Sequence, residues 1–392
     1  MQQEKRWQAG VIIAAIFFVS LNLRPSITSI GPLLNTITKD LNITNTQVSL
    51  LTSIPVFCMG LFATLAVPVL RKFGYKWAIN LLIIAIGIST CSRMYFGSYK
   101  ALILTSFVAG FSIAIISPMI NAFIKERFST KIEPVIGVYS FSMGAGASLS
   151  AGFTSIFFQR FDSWQIALGI WGFLSVPALL LWTLSARQKG RPTVRQIDTK
   201  EARNPWKTKQ AWKILLFFGL QTSTFFSLTT WLSPVAQEQG FSLVTAASVL
   251  TTMSIVQIIG NLIIPILVNR FPNRIYWLYG LLMIGVCGGG VLLINADWAI
   301  WTGAVLFGVS LSGLFPIGLM LPLDEARNNE EASSWSSMVL SGGFMMSAIV
   351  PLLIGAAYDV TGTHDVSKRI FISLFLLMFL AVYMVQANKR HV

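Results

Sequence analysis

The chain has 392 residues, 54% of them apolar and only 11% charged, with a formal charge of +14 and a mean hydropathy of +0.68. A soluble enzyme of this size has no use for so much apolar surface, so the composition indicates a polytopic membrane protein. The basic balance by itself would suit nucleic acid, but the charges are sorted by side of a membrane, which excludes that reading.

Apolar runs long enough to cross a bilayer fall at 9–34, 47–70, 78–96, 101–124, 134–158, 164–186, 211–235, 244–268, 275–295, 298–322, 333–357 and 370–387. The fold class is therefore all-α, with twelve transmembrane helices. Lys5 and Arg6 precede the first run, which is too long for a signal peptide and lacks a small-residue cleavage site. An even number of spans puts both termini on one side. That side carries 22 Lys and Arg and the opposite side five, which places both termini in the cytoplasm of a multi-pass cell-membrane protein.

The first run holds an arginine, in Leu21-Asn22-Leu23-Arg24-Pro25. A charge at that depth costs between about 3 and more than 10 kcal/mol, so such a residue faces a bundle interior or a wet path. Pro25 has no N–H and frees the carbonyl of Leu21. Arg93, the other arginine in a span, sits close to the end of the third run and is expected to snorkel to the interface. Trp164, Trp298 and Trp301 lie at span edges, as an aromatic belt does. Gly137, Gly144, Gly146 and Gly152 in the fifth run invite close helix packing. Cys58, Cys91 and Cys287 have no ligand-like spacing and are read as small apolar residues.

One long polar interruption, residues 187–210, falls at mid-chain and is strongly basic. It reads as a cytoplasmic linker lying on anionic lipid heads, with a six-helix bundle at 1–186 and another at 211–392. The two halves align at a shift of 198 residues, which sets Thr44 on Ser242, Ser53 on Thr251, Lys72 on Arg270 and Phe73 on Phe271. The same shift sets Gly110 on Gly308, Ser112 on Ser310, Pro118 on Pro316, Glu133 on Glu331 and Gly144 on Gly342. Two parallel six-helix halves describe the major facilitator architecture, whose substrate site lies at the midplane between them.

All fifteen acidic residues and both histidines lie in loops or at span ends. Proton relays normally use intramembrane carboxylates or histidines, and the chain has no metal cluster, phosphate-binding loop or paired carboxylate. It is therefore read as a non-enzyme without cofactor. With no span acid to pair with, Arg24 is read as a planar donor for a carboxylate, nitro group or small anion, a packed arginine holding helix carbonyls being the alternative. Asn22 lies beside it, and Thr28 shares its helix face. Polar and aromatic residues at mid-depth complete the candidate substrate site: Asn121, Tyr139, Gln221, Trp231, Gln257, Asn261, Phe315 and Trp335. Gln257 and Asn261 stand one turn apart, and such amides also join helices by hydrogen bonds.

The segment Asn22-Leu23-Arg24-Pro25-Ser26-Ile27-Thr28-Ser29-Ile30-Gly31-Pro32-Leu33-Leu34 resembles the opening helix of the cyanate porter branch of the major facilitator superfamily. Gly219-Leu220-Gln221-Thr222-Ser223, Trp231-Leu232-Ser233-Pro234, Phe315-Pro316, Gly342-Gly343-Phe344 and Pro351-Leu352-Leu353-Ile354-Gly355 extend the likeness along the chain. The resemblance implies secondary transport of small molecules, cyanate and nitroimidazole-type compounds included, with an arginine of the branch's motif at Arg24. Two departures bear on the substrate: Ser117-Pro118 with Asn121 replaces an asparagine before proline, and Phe226 stands where tyrosine is common. The stretch Pro68–Lys76 occupies the place of the superfamily's loop motif. Arg71 takes the slot of its usual aspartate, while Lys72, Gly74 and Lys76 fit a cytoplasmic gating turn, with Glu133, Asp324 and Glu325 on the same side.

The expected protein is an alternating-access transporter, a monomer in the bilayer, that binds a small anionic or nitro-bearing solute at Arg24, with a proton as candidate coupling ion and no nucleic-acid partner. An exporter of hydrophobic compounds, with Arg24 structural, is the alternative. A non-transporting receptor on the same scaffold is a third reading, for which no signalling domain speaks.

Overall fold

In the computed structural model, residues 2–128, 132–185, 204–271, 273–294, 296–326 and 329–387 are described, and no strand occurs among them. The first span is a column of three pieces, α1 (Gln2–Asn22), α2 (Pro25–Thr28) and α3 (Ile30–Asp40). Then come α4 (Asn45–Leu61), a 3-10 turn at Ala63–Leu65, α5 (Ala66–Ser92), α6 (Tyr99–Arg127) and α7 (Ile132–Phe161). The first half closes with α8 (Trp164–Gly169), a 3-10 stretch at Ile170–Leu174 and α9 (Ser175–Ser185). The second half holds α10 (Lys209–Glu238), α11 (Leu243–Arg270), α12 (Arg274–Leu292), α13 (Asp297–Glu325), α14 (Asn329–Ser347), α15 (Ile349–Thr361) and α16 (Asp365–Ala387).

Eleven helical stretches among the described residues are long and apolar enough to cross a membrane. The twelfth expected span is present in a different division. The chain is helical from Asn45 to Phe73 apart from Phe62, and α5 is broken at Gly74, whose φ of 70° and ψ of 167° no helix accommodates. A left-handed φ with no side chain to clash is what glycine alone supplies freely. The break therefore falls where the sequence places a turn, between the runs 47–70 and 78–96. The linker expected at 187–210 lies outside the described residues up to position 203. Its last part forms a 3-10 turn, Pro205–Lys207.

The 198-residue register is visible in the packing. Thr44 caps α4, accepting from the Gln47 amide, and its counterpart Ser242 caps α11 by accepting from the Thr245 amide at 3.2 Å. Gly110 of α6 lies against the backbone of Pro55, and Gly308 of α13 lies against the carbonyl of Met253, so both contacting pairs are 198 positions apart. A Cβ at either glycine would drive into the neighbouring helix, which is why both copies keep the smallest residue.

Helix α10 is the core of the second half. From Phe217 to Ala236 every residue except Phe225 is buried. Three of its hydroxyls are satisfied locally, Thr222, Ser223 and Thr224 each donating to the carbonyl four residues back. The halves meet where α4 packs on α14 and α15, α7 on α11, and α3 on α10. Gly144 and Gly152 of α7 fit against Ile258 and Thr251 of α11, Gly146 fits against the Leu21 carbonyl, and Gly137 has open space around it.

Candidate functional site

Arg24 lies in the gap between α1 and α2, where Pro25 interrupts the hydrogen-bond ladder. Its carbonyl is taken by the amides of Ile27 and Thr28, each at 3.0 Å. The carbonyl of Leu21, freed by Pro25, is covered by the close approach of Gly146. The half-buried guanidinium reaches across the seam to the second half, its Cζ 5.7 Å from the ring centres of both Phe225 and Phe226. That geometry is a double cation–π contact, a neutral partner for a charge without a counter-ion. Nη1 is buried and has no hydrogen-bond partner.

Several neighbours are in the same condition. Asn22 is buried with Nδ2 unpartnered, and Gln221, one turn before Phe225 on α10, is buried with Oε1 unpartnered. Tyr139 of α7 is buried within electrostatic reach of Arg24, and Ser117 faces its hydroxyl. Phe225 is the one half-buried side chain in the long buried stretch of α10, so the point at which Arg24 meets the second half is also where that helix opens. Beyond it runs an aromatic series, Phe226 to Phe344 at 6.4 Å, Phe344 to Phe218 at 5.9 Å, and Phe218 to Phe315 at 5.8 Å.

The remaining candidates are placed less centrally. Asn121, Gln257 and Asn261 are half-buried, Asn261 with an unpartnered Oδ1. Trp335 is buried in the core of the second half. Two candidates are committed to other partners. Thr28 bonds the Arg24 carbonyl and, at 2.6 Å, Ser150 of α7. Trp231 is fully buried and donates from Nε1 to the Pro351 carbonyl at 3.0 Å. Both hold helices together here. At the loop, Arg71 and Lys72 are exposed, Lys72 lies over the Phe73 ring, and Tyr75 donates to Glu126. Asp324 pairs with Arg274 rather than with this loop.

Two expectations about span edges are corrected. Arg93 does not snorkel; it is 1% exposed and donates one hydrogen bond from each guanidinium nitrogen within the first half. Trp164 is not a belt residue: it is 3% exposed and donates to the Asp40 carboxylate at 2.7 Å. In each case polar partners on another helix drew the side chain inward, and span position alone carries no trace of them.

Hydrogen bonds join the halves toward the end carrying Asn45 and Asp359. Asn35 donates to Gln237 at 3.2 Å, Gln237 to the Pro32 carbonyl at 3.1 Å, and Thr230 to Thr52 at 3.1 Å. Asn45 and Thr46 donate to Asp359. Gly31 fits against the Thr229 carbonyl, and Gly60 against Ser341 and Met345. None of these pairs was recognisable from sequence, because each joins residues about half a chain or more apart.

A helical membrane scaffold with a repeated half, its halves joined by hydrogen bonds toward one end, is the scaffold of a transporter. The chain belongs to the Major Facilitator Superfamily, whose family model matches residues 11–351. It is 28% identical over 375 residues to the 2-nitroimidazole transporter of Escherichia coli, covering 94% of this chain and 93% of that one. It is 26% identical to the cyanate transport protein CynX of the same organism, covering 90% and 91%, and 27% identical to an uncharacterized transporter, YycB, of Bacillus subtilis, covering 95% and 93%. Its fold matches an inward-facing, occupied bacterial homolog of the lysosomal transporter Spinster with a TM-score of 0.74, at 15% identity over 97% of both chains. It matches the nucleoside transporter NupG with a TM-score of 0.74, at 14% identity over 96% and 97%.

Proposed function

We propose that the protein moves a small anionic or nitro-bearing solute by alternating access, with Arg24 as the cation that grips it. The observation that carries this reading is the Arg24 guanidinium, which has an unpartnered buried Nη1 and lies 5.7 Å from two rings of the opposite half. A planar donor over aromatic faces suits a flat acceptor such as a nitro group, a carboxylate or a linear anion. Relatives named for 2-nitroimidazole and cyanate carry solutes of this kind. Asn22, Tyr139 and Gln221 supply further polar atoms, and Asn121, Gln257 and Asn261 extend the path.

The basic bias of the loops favours both termini in the cytoplasm of the cell membrane. The seam joined by Asp359 is then the outer one. In this reading two bundles, at 1–186 and 211–392, are joined by a basic linker and the protein works as a monomer. Without a span carboxylate, any proton coupling travels on the solute's own titration. The aromatic series from Phe225 to Phe315 favours a second reading, export of hydrophobic compounds with Arg24 structural.

Uptake of labelled cyanate and 2-nitroimidazole into proteoliposomes, with and without a pH gradient, separates the two. Charged hydrogen bonds contribute about 1.5–3 kcal/mol, so Arg24→Ala is expected to weaken apparent affinity by roughly tenfold or more. Arg24→Lys keeps the charge but loses the planar fork, and is expected to recover only part of it. Unchanged saturable uptake in Arg24→Ala sinks the assignment.

A further inference from the structure

We infer that Arg93 is a positioning residue for the solute site: it fixes the backbone that carries Arg24, on whose role as the solute's cation this inference rests. Arg93 follows α5 and is 1% exposed. All three guanidinium nitrogens are used. Nε donates to Thr105 Oγ1 at 3.1 Å, Nη2 to Ser106 Oγ at 3.1 Å and Nη1 to the Ser26 carbonyl at 2.9 Å. Each of these partners is neutral. Burying a charge on neutral partners alone is unfavourable against an apolar side chain of similar volume. Packing by itself therefore gives no reason for an arginine here, whereas the shape of its hydrogen-bond fork does.

The acceptor that matters is the Ser26 carbonyl. It lies in α2, a helix of only four residues, two positions after Arg24. The Ser29 amide bonds the Pro25 carbonyl, and α2 ends there, before the turn that would engage the Ser26 carbonyl. Three positions past the break at Ser29, Pro32 withholds the N–H that would have reached Thr28. Within residues 23–29 the amides of Ile27 and Thr28 bond the Arg24 carbonyl and that of Ser29 bonds the Pro25 carbonyl, so the short turn is held internally but is cut off from the helices on either side. Three outside contacts set its place: Gly146 against Leu21 just before it, Ser150 on Thr28, and Arg93 on Ser26. The clamp from Arg93 is the rigid one, because Thr105 and Ser106, both on α6, hold two corners of the guanidinium while the third holds the carbonyl. A shift of Ser26 carries Arg24 with it, away from Phe225 and Phe226.

The test is a mutant cycle in purified, reconstituted protein with labelled cyanate and 2-nitroimidazole as probes, supported by a probe-independent labelling measurement. Arg93→Lys retains the charge but cannot hold three acceptors in one plane. Displacing a binding group by about 1 Å is a large loss, so KM is expected to rise on the order of tenfold with maximal rate within about twofold. Thr105→Val, which removes one corner, is expected to move KM the same way by less. In an Arg24→Ala background the effect of Arg93→Lys on solute binding is expected to vanish, since the two act as one unit. For the labelling, Arg24→Cys is made with Cys58, Cys91 and Cys287 replaced by serine. The introduced thiol is expected to change its reaction rate with a small anionic thiol reagent by about fivefold or more on adding Arg93→Lys. A control thiol from Thr302→Cys, half-buried on α13 of the other half and outside the proposed site, is expected to stay within about twofold.

Full recovery by Arg93→Lys would make Arg93 a source of charge alone and overturn the inference. Equal losses at both introduced thiols would mean a general structural role and also overturn it. If Arg24→Ala alone leaves binding unchanged, the reading of Arg24 as the solute's cation fails, while the labelling still reports on Arg93. An Arg93→Lys effect of equal size in both backgrounds rejects the positioning role with Arg24 left intact.

Discussion

Asp359 holds Thr46 twice across the seam between the halves, accepting from its amide at 2.8 Å and from its hydroxyl at 2.6 Å. The same carboxylate accepts from the Asn45 amide at 2.8 Å and from Asn45 Nδ2 at 3.0 Å. Asn45 and Thr46 open α4, where amides have no partner within the helix and the helix dipole favours an anion. The α4 N-terminus is thus capped from its own half by Thr44 and from the other half by Asp359. Because the second cap exists only when the seam is closed, it contributes to the balance between transport states.

Asp359→Ala is expected to open that seam. Hydrogen bonds to a charged group contribute about 1.5–3 kcal/mol when sheltered and less in contact with water, so about 1.4 kcal/mol, a tenfold shift toward the open form, is a reasonable size. Labelling of a thiol introduced by Thr52→Cys, by a membrane-impermeant reagent added from the Asp359 side, reads this directly. An unaltered rate in the Asp359→Ala background would leave the carboxylate no part in closure.

Gly31 should be equally sensitive for a steric reason. Its would-be Cβ collides with the Thr229 carbonyl, a backbone atom of the opposite half that cannot turn aside as a side chain does. Overpacking of this kind costs about 1–3 kcal/mol, and it is incurred only in the closed seam. Gly31→Ala is therefore expected to cut the transport rate by roughly tenfold while solute affinity stays within about threefold. Gly137→Ala, with nothing within 4 Å of the new methyl, is the control expected to transport normally. Equal rates for the two variants would contradict the argument.

Much of this architecture is legible in the sequence, and particular residues explain where legibility stops. Hydropathy marks the spans and the 198-residue register because both are local or repeated signals, and the paired contacts of Gly110 and Gly308 follow from that register. Arg24 stands out because a charge amid apolar residues needs no partner to be noticed. Distance along the run misplaces Arg93, because Thr105 and Ser106 that draw it inward belong to the next helix. Trp231 looks like a cavity aromatic until Pro351, 120 residues away, takes its N–H. Asp359 and Thr46 are 313 residues apart, and nothing near either one names the other.

Phe225 and Phe226 make a second probe of the site because they differ in burial. Each faces Arg24 at the same distance, but Phe226 is 2% exposed and also packs on Phe344, while Phe225 is half-buried. A cation–π contact contributes about 0.5–2 kcal/mol. Phe225→Leu is expected to weaken solute affinity about threefold to tenfold with little change in thermal stability. Phe226→Ala is expected to lower stability as well, by about 3 kcal/mol or more, as the loss of a buried ring does. Binding isotherms and thermal melts of the two purified variants, measured side by side, check the split. Equal melting losses would show that exposure does not separate their roles.

His364 offers a pH test outside the membrane-spanning segments. It is 2% exposed, its Nδ1 shares a hydrogen bond with Ser367 at 3.0 Å, and its ring lies 4.3 Å from that of Tyr358 and 5.6 Å from that of Trp231. Burial first, and the nearby Lys368 second, push its pKa down from 6.5 to about 3. The ring is therefore neutral at physiological pH, and its 4.0 Å approach to Glu238 is no ion pair there. A depressed pKa means the folded form binds the proton later than the unfolded form. The contribution is thus complete above the unfolded value of 6.5 and is lost as pH falls toward about 3. Going from pH 6.5 down to pH 5 removes about 2 kcal/mol on this account. Melting temperatures of the purified protein are expected to fall over that interval, and the fall is expected to shrink in His364→Asn even though that variant starts lower. The hydrogen bond from the His364 amide to Glu238 at 2.7 Å does not depend on the side chain, so the substitution leaves it in place and isolates the ring. An identical pH slope in the variant would move the acid sensitivity to another group.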